Sequence, residues 1–266
     1  MDVAAKQGRV FVLPGILARG PEQIADVKNS IGGLGCISAQ TYLRWNPDKI
    51  AAEVAAKVKD SLESGENVTI LGISIGGLLT AKVVEKLSPS ERRRVRVIIV
   101  DSPHGAETLM ATSGPLRWFF TSGVYRCLGE FGGGILMSLF RQPPKDENIE
   151  VPRTEYDISA YQARVKRTAI ERLKGHSWKM YGAQVAWMCE APKLRALRSV
   201  RELTYIACVG RKNDTVAQPL ALNRWRAQLP NLQYVDVNTA HAAFLEASET
   251  WNEVFSRLVG PRNPRR

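Results

Sequence analysis

Gly72-Ile73-Ser74-Ile75-Gly76 offers the clearest chemistry in this 266-residue chain. A Gly-x-Ser-x-Gly triplet arises by chance in roughly one chain in ten of this size, so the pattern alone is only suggestive. Its setting makes it specific. The apolar run Asn67 to Leu71 leads straight into it, and a helical pattern reaching about Leu87 leads straight out. A sharp turn from strand to helix holds the serine in a strained conformation with its hydroxyl at the tip. Glycines two residues to either side remove side chains that would strike the neighbouring strand and helix. The helix start presents backbone N–H groups and a partial positive charge to a developing oxyanion.

A serine hydroxyl needs a base, and the chain has only three histidines, His104, His176 and His241. His241 follows the last strand pattern and precedes the last helix, which places it on a loop at the carboxyl edge of a sheet, the edge expected for Ser74. His104 ends the strand beside the nucleophile strand and is the alternative base. His176 falls in a long helical insertion. The carboxylate that would hold the imidazole tautomer is Asp214, in Gly210-Arg211-Lys212-Asn213-Asp214 just beyond a strand. Its rival is Asp101, which also ends a strand at that edge; Asp214 also suits the plainer role of capping the helix that follows. One oxyanion donor is expected at the N–H of Ile75. The second is expected in the turn Leu13-Pro14-Gly15-Ile16-Leu17, at the N–H of Ile16, with Gly15 allowing close approach.

These residues need a scaffold that brings loop ends together. Arg9 to Leu13, Gly35 to Ala39, Asn67 to Leu71 and Val95 to Val100 read as buried strands, separated by helical patterns at Pro21 to Asn29, Pro47 to Leu62 and after Ser74. Such alternation predicts a parallel sheet covered by helices on both faces. It resumes with strands at Leu203 to Val209 and Leu232 to Val237, a helix near Pro219 to Gln228 and a last helix from about Ala243 to Leu258. Residues 106–200 break the alternation. Leu116 to Phe120 and Ile135 to Phe140 are bulky apolar clusters there, suited either to the packing of a helical subdomain or to the lining of an acyl pocket. The expected organisation is an α/β core at 1–105 and 201–260, a helical cap at 106–200 and a flexible basic tail at 261–266.

Composition narrows the classes. A hydrophobic fraction of 44% fits an ordinary globular protein. No run of about 18 apolar residues predicts a membrane span, and Met1 to Arg9 lacks the apolar stretch of a secretory signal. The four cysteines are widely spaced, as expected for reduced thiols, so a cytoplasmic location is expected. Net charge is +11, densest at Glu91-Arg92-Arg93-Arg94 with Arg96, and no nucleic-acid motif accompanies it. A solvated basic surface accounts for it, as does a preference for anionic substrates.

The motifs LPGI at 13–16, GISIGG at 72–77, VDSPHG at 100–105 and GRKNDTV at 210–216, with the His241 loop, resemble the α/β-hydrolase superfamily over nearly the whole chain outside the insertion. The resemblance implies an α/β fold with a mostly parallel sheet flanked by helices, a lid inserted after the DSPHG strand, and the triad order Ser74, Asp214, His241. Two departures stand out. Pro14-Gly15 replaces the family's common His-Gly, and the chain starts almost at the family's third strand, which predicts a reduced sheet of about six strands. A serine nucleophile argues against the dehalogenase and epoxide hydrolase branches, which use Asp. The expected activity is hydrolysis of a small acyl ester with an apolar chain, through an acyl-enzyme and with no metal or organic cofactor. A thioesterase or acyltransferase acting on an anionic thioester, and a non-catalytic binding protein, are the alternatives. No nucleic-acid partner is expected.

Overall fold

The computed structural model describes residues 8–15, 36–42, 44–105, 118, 122–124, 178–190, 193–208, 220–237 and 248–259. Six strands form one sheet: β1 (Arg9–Leu13), β2 (Cys36–Ala39), β3 (Val68–Ile73), β4 (Val95–Val100), β5 (Glu202–Cys208) and β6 (Gln233–Val237). Their spatial order is β2-β1-β3-β4-β5-β6. Every pairing is parallel. The strand count and the parallel arrangement match the expectation from the sequence.

The central strands are apolar at nearly every position because both sheet faces are covered. Phe11, Leu13, Val68, Ile70, Val97, Ile99 and Tyr205 point into one core layer. That layer is shared with α1 (Pro47–Glu63), α2 (Ile75–Glu85), α4 (Trp178–Met188) and α5 (Leu220–Gln228). Val10, Val12, Leu71, Ile98 and Ile206 point the other way, onto Trp251 and Phe255 of α6 (Ser248–Val259). Tyr181, Val185 and Met188 of α4, with Leu194 and Leu197 of the 3-10 turn Arg195–Ser199, belong to the first layer. The described part of residues 178–200 therefore packs directly on the core.

Helix starts follow their sequence signals. Asn46 caps α1 by accepting from the Lys49 N–H at 3.0 Å, with Pro47 next in line. The short α3 (Pro89–Arg92) opens with a capping box between Ser88 and Glu91.

Helix ends are closed from a distance by arginines. Arg92 donates to the carbonyls of Val84 and Glu85 at the end of α2, at 3.0 and 3.1 Å. Arg94 donates to Leu62 at the end of α1, Arg198 to Gln228 at the end of α5, and Arg96 to Leu258 near the end of α6. The helices run antiparallel to the strands, so all four ends lie at the amino edge of the sheet. A cation there satisfies orphan carbonyls and opposes the negative end of the helix dipole.

Among the described residues, no helix is long and apolar enough to cross a membrane. Among the described residues, Cys36, Cys189 and Cys208 form no disulfide.

Candidate active site

In the strand order, β1 connects outward to β2 while β3 connects the opposite way to β4. The carboxyl ends of β1 and β3 therefore adjoin where the chain directions diverge, the crevice in which open parallel sheets bind ligands. Pro14-Gly15 leaves β1 at that point and Ser74 leaves β3.

Ser74 lies between the last residue of β3 and the first of α2, at φ 53° and ψ −121°. It is one of two described non-glycine residues with positive φ. A side chain in this conformation is strained, and the register around it leaves no relaxed alternative. Its N–H donates to the Val100 carbonyl of β4 at 2.8 Å, and its carbonyl accepts from Gly77 at 2.9 Å. The residue is 3% exposed, and among the described residues its Oγ has no hydrogen-bond partner.

The flanking glycines are dictated by space. A Cβ on Gly76 would collide with the Leu13 carbonyl oxygen and come within 2.9 Å of the Pro14 oxygen. On Gly72 it would collide with the Thr80 hydroxyl and lie 2.5 Å from the Gly76 oxygen. The first turn of α2 thus sits directly on the ends of β1 and β3, and only hydrogen atoms fit between. Ile75 opens α2, so its N–H has no acceptor within the helix and is available to an oxyanion. The first turn of α2 carries no acidic side chain to cancel the positive end of the dipole.

Buried aromatic donors hold the turns on either side. The Tyr42 hydroxyl donates to the Pro14 carbonyl at 2.9 Å. The Ser102 carbonyl, in the turn after β4, accepts from Tyr205 Oη at 2.8 Å and from Trp225 Nε1 at 3.1 Å. Sequence reasoning missed all three, since nothing in their local pattern separates an aromatic pin from ordinary core.

Asp101, the rival acid, follows β4 at φ 45° and is buried, with its N–H donating to the Ile206 carbonyl at 2.8 Å. His104 is buried too, its ring edge-on to Trp225 at 5.7 Å between centroids. Ser74, Ile75, Asp101 and His104 are therefore gathered at one edge of adjacent strands. Ile16, Asp214, His241 and His176 lie outside the described residues. Among the described residues, no group of three or more His, Cys, Asp or Glu side chains is placed to hold a metal ion.

No model of a known protein family matches the chain, and no curated protein does. Solved structures do. A thermophilic esterase from Thermogutta terrifontis is similar at a TM-score of 0.64 and 14% identity, over 97% of this chain and 92% of that one. An enol-lactonase from Burkholderia xenovorans gives 0.64 at 11% identity, over 98% and 94%. A bromoperoxidase from Bacillus anthracis gives 0.63 at 15%, over 96% and 93%.

The chain has the α/β-hydrolase fold. Within it, Ser74 joins β3 to α2 at the carboxyl edge of the sheet.

Proposed function

We propose that the chain is a serine hydrolase cleaving carboxylic esters, with Ser74 as nucleophile, His241 as general base and Asp214 as the carboxylate that orients it. The observation carrying this reading is Ser74 itself, buried at φ 53° on the start of α2 in the crevice between β1 and β3. A fold with no use for that hydroxyl would place glycine there.

Chain reach supports the partners. β6 stands three strands from β3, about 14 Å at ordinary strand spacing. His241 follows Val237 by four residues, a span of up to about 14 Å before the imidazole is counted. Asp214 follows Cys208 by six residues, on the strand only two places from β3.

In this mechanism the Ser74 proton passes to His241 as Oγ attacks the ester carbonyl. The N–H groups of Ile75 and Ile16 receive the oxyanion. His241 then protonates the departing alkoxide, leaving an acyl-enzyme. Water, deprotonated by the same histidine, releases the acid and restores Ser74. The apolar clusters of the 106–200 insertion supply the acyl pocket.

The test is hydrolysis of p-nitrophenyl esters from acetate to palmitate by wild type, Ser74→Ala, His241→Ala and His104→Ala. The reading requires a loss of at least about 10³-fold with Ser74→Ala and His241→Ala, and near-normal turnover with His104→Ala. Loss with His104→Ala and retention with His241→Ala would move the base to the DSPHG turn. A wild type inert to every ester but active on acyl thioesters would change the substrate class.

A further inference from the structure

Pro14 and Gly15 form the wall that faces the nucleophile across the crevice. A Cβ added to Gly15 would lie 3.7 Å from Ser74 Cβ and 3.9 Å from the Ile73 oxygen, so Gly15 stands beside the elbow with room for no more than a methyl group between them. Any oxyanion donor carried by this turn takes its direction from how the Pro14–Gly15 peptide is held. Proline fixes its own φ but not its ψ, and glycine fixes neither angle. Left to itself, the segment has the freedom to swing its N–H groups away from Ser74.

One buried hydroxyl removes that freedom. Tyr42 Oη donates to the Pro14 carbonyl at 2.9 Å across 28 residues of sequence. On its other side the same oxygen faces the α-carbon of Gly76, where an added Cβ would stand 2.9 Å away. The carbonyl is thus held in a slot between Tyr42 and the first turn of α2. Because a peptide unit is planar and trans, fixing its C=O fixes the opposite direction for the Gly15 N–H and the starting point for the next peptide.

Tyr42 is itself immobilised. It is fully buried, its ring meets Trp45 edge-on at 5.4 Å, and Trp45 meets Trp187 of α4 at 5.4 Å. The backbone just before it is tied to β1 by the Gln40 N–H on the Val12 carbonyl at 2.9 Å. Burial pushes the phenol well above its ordinary value, so it stays a donor throughout any practical assay range.

We propose that Tyr42 is the positioning residue of the oxyanion turn, holding the Pro14 carbonyl and with it the orientation of the Pro14–Gly15 peptide beside Ser74. The inference rests on the serine-hydrolase reading and deepens it. Removing an oxyanion donor outright costs about 10²–10³ in kcat, and loosening one costs a part of that. Tyr42→Phe is therefore expected to lower kcat on the order of tenfold with KM within about twofold. The rate at which a fluorophosphonate labels Ser74 should fall by a similar factor, because phosphonylation draws on the same donors. Phe255→Leu removes a comparable amount of buried packing on the opposite face of the sheet, and is expected to label Ser74 at the wild-type rate. Thermal midpoints are measured in parallel, and rates are compared at a temperature where all variants are folded.

The outcomes separate cleanly. A wild type that fluorophosphonate does not label at Ser74 overturns the serine-hydrolase reading, and this inference with it. A labelled wild type matched in rate by Tyr42→Phe overturns the inference alone. So does a rise in KM at unchanged kcat, or a Phe255→Leu variant slowed as much as Tyr42→Phe.

Discussion

Replacing Ser74 with glycine should abolish activity and leave a more stable chain than Ser74→Ala, because the elbow strains any residue that carries a side chain. A non-glycine residue at φ 53° and ψ −121° costs about 1–3 kcal/mol relative to glycine. Ser74→Ala removes the hydroxyl and keeps the strain, so comparing the two variants isolates the strain. Glycine relieves it, less about 0.5–1 kcal/mol for its greater backbone entropy in the unfolded chain, for a net gain over alanine of about 1 kcal/mol at the middle of those ranges. At this chain length that is a rise of roughly 2 °C in Tm. The assay is guanidinium unfolding followed by tryptophan fluorescence, with the m-value required to stay constant so that midpoints compare stability alone. The expected order is Gly above Ala. An Ala variant at or above the Gly variant would refute the strain argument.

Two further outcomes follow from the packing around the elbow and the helix ends. Gly76→Ala should cost about 3 kcal/mol or more, seen as a sharply lowered Tm or insoluble expression, because the new methyl meets backbone oxygens of Leu13 and Pro14 that no rotamer change can move aside. Arg96→Met should cost about 1–3 kcal/mol in the same unfolding assay: it takes from the Glu202 carboxylate its contact at 2.8 Å, leaving Arg201 at 3.7 Å, and removes the side-chain donor to the Leu258 carbonyl. Adding Glu202→Gln on that background should recover part of the loss.

What the sequence made legible is what local pattern encodes. VRVIIV at β4 is continuous and β-branched because both faces of a central parallel strand are buried, and Gly72-x-Ser74-x-Gly76 is readable because close approach leaves no other residue type at its ends. The capping box at Ser88 and Glu91 was in plain view, but four residues are too few to show helical periodicity. The unreadable parts are tertiary. Tyr42, Tyr205 and Trp225 donate to carbonyls 28, 103 and 123 residues away, and each sits in a stretch where an aromatic side chain needs no explanation beyond burial. The positive φ of Asp101 was equally hidden, since aspartate enters that region only when the surrounding turn demands it.

Part of the basic charge has a structural use. A net +11 suggests an anionic partner, yet in the densest cluster Arg92, Arg94 and Arg96 donate to carbonyls near the ends of α2, α1 and α6, and Arg198 does so at α5. A parallel sheet with antiparallel helices sends every crossover helix's negative end to the amino edge and its positive end to the carboxyl edge. Arginines at the amino edge relieve the crowding of carbonyls there. At the other edge, α2 keeps its first turn free of acidic side chains, so its positive end points at Ser74 uncancelled. The two edges have opposite electrostatic tasks, closing helices at one and receiving a developing oxyanion at the other. These four arginines therefore stand at the amino edge of the sheet, away from Ser74, where their charge closes helices.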